Sequence, residues 1–492
     1  MASQQPVLTV INEDLTQGAE DVPILFRISS PEQRADGRES VPTDIVCVID
    51  ISGSMGTLAT IQSASGVVES NGLTLLDVAK HGVRTVIASL GDTDRLAVVA
   101  FDDQQDIVVP LTKMDEEGKT LANKKVEALD DRGGTDIWGG LFEGLEILRN
   151  APKDSSVPRE AHVILLTDGQ TMRRDACMPN ARQYLQKYEG LPGTISTMGF
   201  GYNIDSPLLD ELSKFGSGMY SFIPDAGFVG TVFVNTMSNL LVTMAADVTL
   251  VIAEEGASVL QACGGIESEK KDNVWRLKVG LLQYGQSADI VVRANVPAGG
   301  KLEANLAYRA LNDAGAIAVQ QSECVELQAA AASPSDIQLL YRHVQRCDYV
   351  DSVQLAVDTV KSEGVERSAG IVRDLAERIE KSQAASDEHV QKLLSDIQGQ
   401  MLEAFSKKEY WNKWGCHYVP AAVCAHRLEV CNNFKDPGVQ VYGGSMFAAI
   451  QDKADTLYNE LPPPTSADRQ FSEGYDAAAP ISMAHYNDRN CA

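Results

Sequence analysis

Asp44-Ile45-Val46-Cys47-Val48-Ile49-Asp50-Ile51-Ser52-Gly53-Ser54-Met55 is the stretch around which the chain is organised. Between the two aspartates every position from Ile45 to Ile49 is apolar. A run without alternation suits a strand covered on both faces, as in the middle of a parallel sheet. Such strands deliver their chemistry at their carboxyl ends. Asp50, Ser52 and Ser54 then stand on one tight turn, with three hard oxygens converging where no histidine or thiol intervenes. That donor set suits a small hard cation such as magnesium.

Two later stretches have matching features. Gly133-Gly134-Thr135-Asp136 is a glycine-led loop, and Val163-Ile164-Leu165-Leu166-Thr167-Asp168-Gly169 is a second apolar run that ends at an aspartate. Serine and aspartate are common turn residues, so D-x-S-x-S alone says little. Three pieces in this order say more: they resemble the metal-ion-dependent adhesion site of the von Willebrand factor A domain. The resemblance implies that Ser52, Ser54 and Thr135 bind magnesium through their hydroxyls, with manganese or calcium as substitutes. It also implies that Asp50 and Asp168 hold the ion's waters. A sixth position is then left for a glutamate or aspartate from a partner protein, which makes the ion a bridge between chains and not a Lewis acid for hydrolysis. Asp102 and Asp136 are expected near the same face, as outer or solvated residues.

The chain has 492 residues, too many for one core, and its composition is that of a globular protein, 44% hydrophobic and 22% charged. With 42 basic against 68 acidic residues the net charge is −26. That charge opposes binding to nucleic acid or an anionic membrane. The first residues have neither a basic start nor an apolar core, no apolar run reaches about 18 residues, and the nine cysteines are scattered. A cytoplasmic location without a membrane span is the expectation.

The expected fold is multidomain α/β plus β: a doubly wound, mostly parallel sheet inserted in or followed by an antiparallel β-sandwich, then a helical region. Residues 1–40 supply two strands, Val7 to Ile11 and Ile24 to Ile28, that pair with the later sandwich, and 31–40 reads as a linker. Residues 41–245 alternate strands and helices as the A domain requires. Val108 to Lys113 is an antiparallel edge strand there, and Val229 to Met244 is the last helix. Residues 246–332 give five strands separated by turn residues: Val248 to Ala253, Val274 to Val279, Asp289 to Val296, Leu302 to Leu311 and Ala316 to Leu327. Residues 333–408 show helical spacing at Ile337, Leu340, Tyr341 and Val344, and again at Ile371, Leu375 and Ile379. Residues 409–492 read as an irregular segment and, from Thr465, a loose tail.

This last part contains a Trp/His segment, Tyr410 to Tyr418, and Cys431-Asn432-Asn433-Phe434-Lys435-Asp436-Pro437-Gly438. With the A domain before it, it resembles the Vwaint-type proteins of eukaryotic microbes, which pair an A domain with a module named for its association with intein-like Hint domains. Cys416, His417, Cys424, His426 and Cys431 lack the paired C-x-x-C of structural zinc sites, so packed side chains are expected there. No nucleophile elbow, Walker loop or H-E-x-x-H is present, and no enzymatic activity is expected. The function read from the chain is metal-dependent protein-protein interaction, as an adhesion or scaffold protein that in principle binds its own copies. The alternatives are the upstream portion of an autoprocessing Hint precursor, with Cys491 where that domain would start, and a ubiquitin-pathway adaptor.

Overall fold

The computed structural model describes residues 5–34, 40–62, 68–152, 159–169, 171, 173–188, 190–311, 319–432 and 436–462. The chain is a mixed α/β protein with several sheets and a C-terminal helical region, and it divides into two units. One comprises residues 43–152, 161–237 and 451–492; the other comprises 1–42, 153–160 and 238–450.

Chain order begins with β1 (Val7–Ile11) and β2 (Ala19–Ser29), which pair antiparallel. Next comes β3 (Thr43–Asp50), in which all eight residues are buried. A short hairpin, β4 (Leu58–Gln62) and β5 (Val68–Thr74), leads into α1 (Leu75–Ser89). Thr74 caps that helix in a reciprocal box with Asp77, which satisfies two otherwise orphaned N–H groups. Then follow β6 (Arg95–Phe101), β7 (Gln105–Lys113), α2 (Glu116–Glu127), α3 (Ile137–Arg149), β8 (Glu160–Thr167), α4 (Arg174–Tyr188), β9 (Thr194–Phe200), α5 (Ser206–Phe215), β10 (Ser217–Ile223) and α6 (Val229–Leu241).

The six-stranded sheet runs β10-β9-β8-β3-β6-β7. β3 pairs in parallel with β6, β8 with β9 and β9 with β10, whereas β7 is antiparallel at the edge. Successive strands lie to opposite sides of β3, so its carboxyl end and that of β8 form the topological switch point. Two glycines bring α3 close beneath that point. A Cβ on Gly144 would lie 2.8 Å from Val48, and one on Gly140 would lie 2.6 Å from Phe101. At the other end of β3, Asp44 takes a two-pronged ion pair from Arg95, at 2.8 and 2.5 Å. Central burial of Ile45 to Ile49, all at 0% exposure, contributes about 1.5–3 kcal/mol per large side chain.

In the second unit β11 (Thr243–Glu255), β12 (Ser258–Ala262), β13 (Ser268–Lys271), β14 (Val274–Gln283), β15 (Ser287–Val296) and β16 (Lys301–Ala310) follow in order. They form two sheets, β1-β2-β15-β12 and one beginning β13-β14-β11-β16. The N-terminal strands thus belong to the sandwich: β2 pairs with β15 from Ser29↔Ser287 to Ala19↔Val296. Phe26, Ile28, Leu250, Ile252, Val292 and Leu306 pack between the sheets.

Several expectations are corrected here. The helix read to Met244 ends at Leu241, and Thr243 already begins β11. Residues 31–34 are not a free linker, since Arg34 is 7% exposed and donates to the Leu311 carbonyl. In the sandwich two strands, β12 and β13, were not foreseen, because they are only five and four residues long. Residues 316–318 of the expected fifth strand, Ala316 to Leu327, and the tail read from Thr465 lie outside the described residues, and the rest of that strand is two short pieces, Val319–Gln321 and Val325–Glu326.

The helical part holds α7 (Pro334–Glu363), α8 (Val365–Glu380) and α9 (Glu388–Asp396), with Val353, Val372, Leu375, Ile379, Val390 and Phe405 in a common core. The described residues of the stretch read as irregular, 409–432 and 436–462, are largely helical, with Cys416–Leu428 and Ser445–Glu460 as the main helices. Pro420 falls inside the first, one turn after the π-turn Trp411–Gly415. A proline removes a hydrogen bond and crowds the carbonyl four residues earlier, here that of Cys416 at the start of the helix. Among the described residues no helix is long and apolar enough to cross a membrane.

Candidate functional site

β3 ends at Asp50, and the chain turns at once. The Ser52 N–H donates to Asp50 Oδ1 at 2.8 Å, and a single 3-10 turn, Gly53–Gly56, buries Met55 beneath it. The hydroxyls of Ser52 and Ser54 lie 3.1 Å apart, with Ser52 buried and Ser54 exposed. From the end of β8 the Thr167 hydroxyl donates to Asp50 Oδ2 at 2.5 Å. Asp168, one residue on, accepts from the Ser54 side chain. Asp50, Ser52, Ser54 and Asp168 therefore form one connected chain of oxygens across the switch point.

The third loop is tied in through its backbone. The Gly53 N–H donates to the Gly133 carbonyl at 3.2 Å, and the Arg132 N–H to the Ile51 carbonyl at 2.6 Å. Gly133 has φ +67°, and a Cβ there would lie 2.6 Å from the Asp102 carboxylate. The Thr171 hydroxyl holds the Thr135 carbonyl at 2.8 Å, while the Thr135 hydroxyl has no hydrogen-bond partner among the described residues. Asp136 caps α3 through Gly139 at 3.2 Å and is not aimed at the turn's oxygens. Asp102 pairs with Arg132 at 3.0 Å, and Asp103 accepts from Gly134 at 2.9 Å. Both shape the loop. Thr167 is the residue that sequence reasoning missed. The only signal was its place before Asp168, where it reads as one more strand residue.

Burial pushes the Asp50 carboxyl up to about 7; the hydrogen bonds from Ser52 and Thr167 oppose this, and the charge of Asp168 adds to it. Burial likewise raises Asp168. Two desolvated carboxyls facing neutral hydroxyls lack a positive charge. The residues fit a hard divalent cation, since the ion would supply that charge and every donor is oxygen.

A second group is fully buried. Donor atoms of Asp289, His343 and Glu429 lie within 4.8 Å of one another, close enough for a metal to bridge. A cation is already there, however. Arg346 stands 3.1 Å from Glu429, and its Nε donates to His343 Nδ1 at 3.2 Å, while Arg27 lies 3.3 Å from Asp289. A guanidinium cannot give up its proton, so a dication would have to displace it. Burial lowers His343 to about 3, which keeps the ring neutral and able to accept from Arg346. This group is a buried ion-pair network, and sequence reasoning missed it.

The five tail residues do not gather. Cys416 contacts its neighbour His417, at 3.5 Å from Nε2; Cys424 lies 3.7 Å from Arg427; His426 Nδ1 lies 2.8 Å from the Tyr442 hydroxyl; Cys431 donates to Gln440 at 3.7 Å. They are packed side chains on and after one helix.

Comparison with known proteins accords with this architecture. Residues 45–170 match the von Willebrand factor type A domain family, and residues 387–456 match Vwaint, described as VWA / Hh protein intein-like. An uncharacterized protein of Synechocystis sp. is 29% identical over 220 residues, 44% of this chain and 46% of that protein. E3 ubiquitin-protein ligase WAV3 of Arabidopsis thaliana is 26% identical over 300 residues, 59% of this chain and 34% of the ligase. The chain spans less than half the length of these two relatives. A solved structure, von Willebrand factor type A from Catenulispora acidiphila, covers 80% of this chain and 90% of its own with a TM-score of 0.59. At 17% identity that likeness speaks for the fold alone. The chain thus contains a von Willebrand factor type A domain and a Vwaint region.

Proposed function

We propose that the chain is a metal-dependent protein-protein interaction protein and not an enzyme. Ser52, Ser54 and Thr135 would hold magnesium through their hydroxyls, and Asp50 and Asp168 would hold its waters. Manganese or calcium would substitute. Neutral hydroxyls leave the ion most of its charge, which it would spend on a glutamate or aspartate of the partner. The observation that supports this reading is the connected oxygen chain from Asp50 through Ser52 and Ser54 to Asp168, at the switch point of the sheet.

The test is thermal unfolding of the full chain with magnesium, manganese, calcium or a chelator, beside Ser54→Ala. Ser54 is exposed, so its loss leaves the fold intact. At a hundred times its dissociation constant the ion adds roughly 2.7 kcal/mol, and the melting temperature of the A-domain transition should rise by several degrees. The variant should lose most of that rise. A wild-type curve that no divalent ion moves would sink the reading.

The likeness to a ubiquitin ligase over 300 residues supports a second reading, in which the chain recognises proteins for a separate module that attaches ubiquitin. Partners recovered on immobilised wild type with magnesium should then carry ubiquitin more often than those recovered on Ser54→Ala. Equal modification in both would count against it.

A further inference from the structure

The helix Ser445–Glu460 comes from the far end of the sequence, yet residues 451–460 belong to the unit that holds the A domain. One face of this segment is covered: Ala454 is buried and Gln451 and Tyr458 are half-buried, whereas Asp452, Lys453, Thr456 and Asn459 on the opposite face are exposed. Gln451 Nε2 donates to Asn235 Oδ1 of α6 at 2.6 Å. The Tyr458 ring fills the space beside Gly230 of α6, where a Cβ would lie 2.5 Å from it, and its hydroxyl accepts from the Gly230 N–H. Gly230 lies in the first turn of α6, where backbone N–H groups lack partners in their own helix, so Tyr458 helps to cap that helix from outside. His81 of α1 meets the same ring edge-on, with centroids 4.8 Å apart. Burial pushes the Tyr458 hydroxyl up to about 12 and the His81 ring down to about 4, so the joint is uncharged near pH 7.

α1 carries this joint to the oxygen turn. Phe233 of α6 packs so closely on Gly82 of α1 that a Cβ there would lie 2.3 Å from its ring, which keeps the two helices in one register. At its start α1 holds the turn itself: the Leu75 N–H donates to the Thr57 carbonyl at 2.9 Å, and the Thr57 N–H to the Ser54 carbonyl at 2.9 Å. His81 follows Leu75 by about 9 Å along the helix axis. From Tyr458 to Ser54 the contacts are therefore unbroken, and they run through one rigid element. We infer that residues 451–460 are a strap that holds α1 against α6 and thereby sets how tightly the turn at Ser52 and Ser54 binds a divalent cation. A chain whose strap is displaced keeps all five side chains of the site, but it gives up the ion at concentrations the intact chain still binds. This inference rests on the proposed metal site and adds a condition on it, the seating of the C-terminal helix.

The test is manganese binding to the full chain, read from the loss of the free ion's electron paramagnetic resonance signal, at a temperature where circular dichroism shows each protein folded. Tyr458→Ala should weaken binding about tenfold, and Tyr458→Phe, which keeps the ring and drops the cap, about threefold. Gln451→Ala should weaken it by about the same threefold, and the exposed Thr456→Ala should bind as wild type does. Coupling is reciprocal, so saturating magnesium should slow trypsin cleavage after Lys453 by about tenfold in wild type and not in Ser54→Ala. If Tyr458→Ala does not fold, Tyr458→Phe and Gln451→Ala carry the test. Strap variants that melt lower but bind manganese as tightly as wild type would show a merely structural helix, and they would overturn the inference while the metal site stands. Cleavage after Lys453 that magnesium leaves unchanged would do the same. If wild type binds no manganese, the metal site fails and takes the inference with it.

Discussion

Arg346→Met lowers the stability of the unit that holds it by about 3–5 kcal/mol, measured by urea unfolding near pH 7. Arg346 is 6% exposed. Its guanidinium donates to the carbonyls of Asp289 and His426, the latter at 2.9 Å, and stands 3.1 Å from Glu429. Glu429 sits in the left-handed region at φ +54° and in turn accepts from the Asp289 N–H at 2.8 Å. Methionine of similar length fills the space but leaves two buried carbonyls without that donor and Glu429 without its cation, with the Asp289 N–H still donating to it. The cost comes from those orphans more than from the lost pair, so Arg346→Met with Glu429→Gln should recover part of it. A single-variant loss below about 1 kcal/mol would show that water reaches the network and that it is not sealed.

Asp396→Asn reverses the usual expectation for a buried hydrogen-bonded aspartate, because it should stabilise the protein in alkali. Asp396 Oδ2 accepts from the Gly438 N–H at 2.7 Å, and burial, with the charge of Asp436 adding to it, pushes this carboxyl up to about 8. Asp436 accepts from the Tyr418 hydroxyl at 3.0 Å. An unfolded aspartate titrates near about 4, so between about pH 4 and 8 the folded chain holds a proton that the unfolded chain has lost. That stabilisation is complete below about pH 4 and is gone once the pH has risen through about 8. Wild type should therefore lose about 3 kcal/mol at this site between pH 6 and 9, near 1.4 kcal/mol per unit at first. Asparagine keeps an acceptor for Gly438 and cannot ionise, so that part of the decline disappears. The buried neutral histidines, His343 and His426, both lowered to about 3, change stability only below about pH 6.5 and stay out of this window. Parallel stability curves for the two proteins from pH 6 to 9 would refute the assignment.

Residue type and spacing carried much of this architecture. Ile45 to Ile49 and Val163 to Leu166 are apolar at every position, which only a strand buried on both faces demands, and the oxygens of Asp50, Ser52, Ser54 and Asp168 follow from where those strands stop. Pairing of β2 with the late sheet was readable because two strands before an α/β domain need a partner elsewhere. Other features were not legible. Ser258–Ala262 and Ser268–Lys271 are only five and four residues long, and the second is wholly polar, so periodicity says nothing about them. Thr243-Met244-Ala245-Ala246 continues a helical pattern in composition, and only pairing with β14 and β16 makes it a strand. The network of Asp289, Arg346 and Glu429 joins a strand, a helix and a post-helix turn, 57 and 140 residues apart for its hydrogen-bonded pairs, and no local pattern marks it. Thr167 was invisible as a positioning hydroxyl because its role depends on a strand pairing and not on its neighbours.

The pairing of β2 with β15 also sets an order of events on the ribosome. Arg27 and Asp289 are 262 residues apart in sequence and adjacent in the sheet. At roughly 5–20 residues per second, synthesis takes on the order of 13–50 s between the two. Throughout that time Ile24, Leu25, Phe26 and Ile28, all at 0% exposure in the finished fold, have no neighbouring strand from β15, although the whole of β3 to β10 has been made. An apolar strand left waiting is what chaperones bind and what aggregation recruits. Premature stops anywhere between β10 and β15 should therefore yield chains with a complete parallel sheet and a sticky leading end. Such fragments should associate with holdase chaperones more than fragments that begin at Val41.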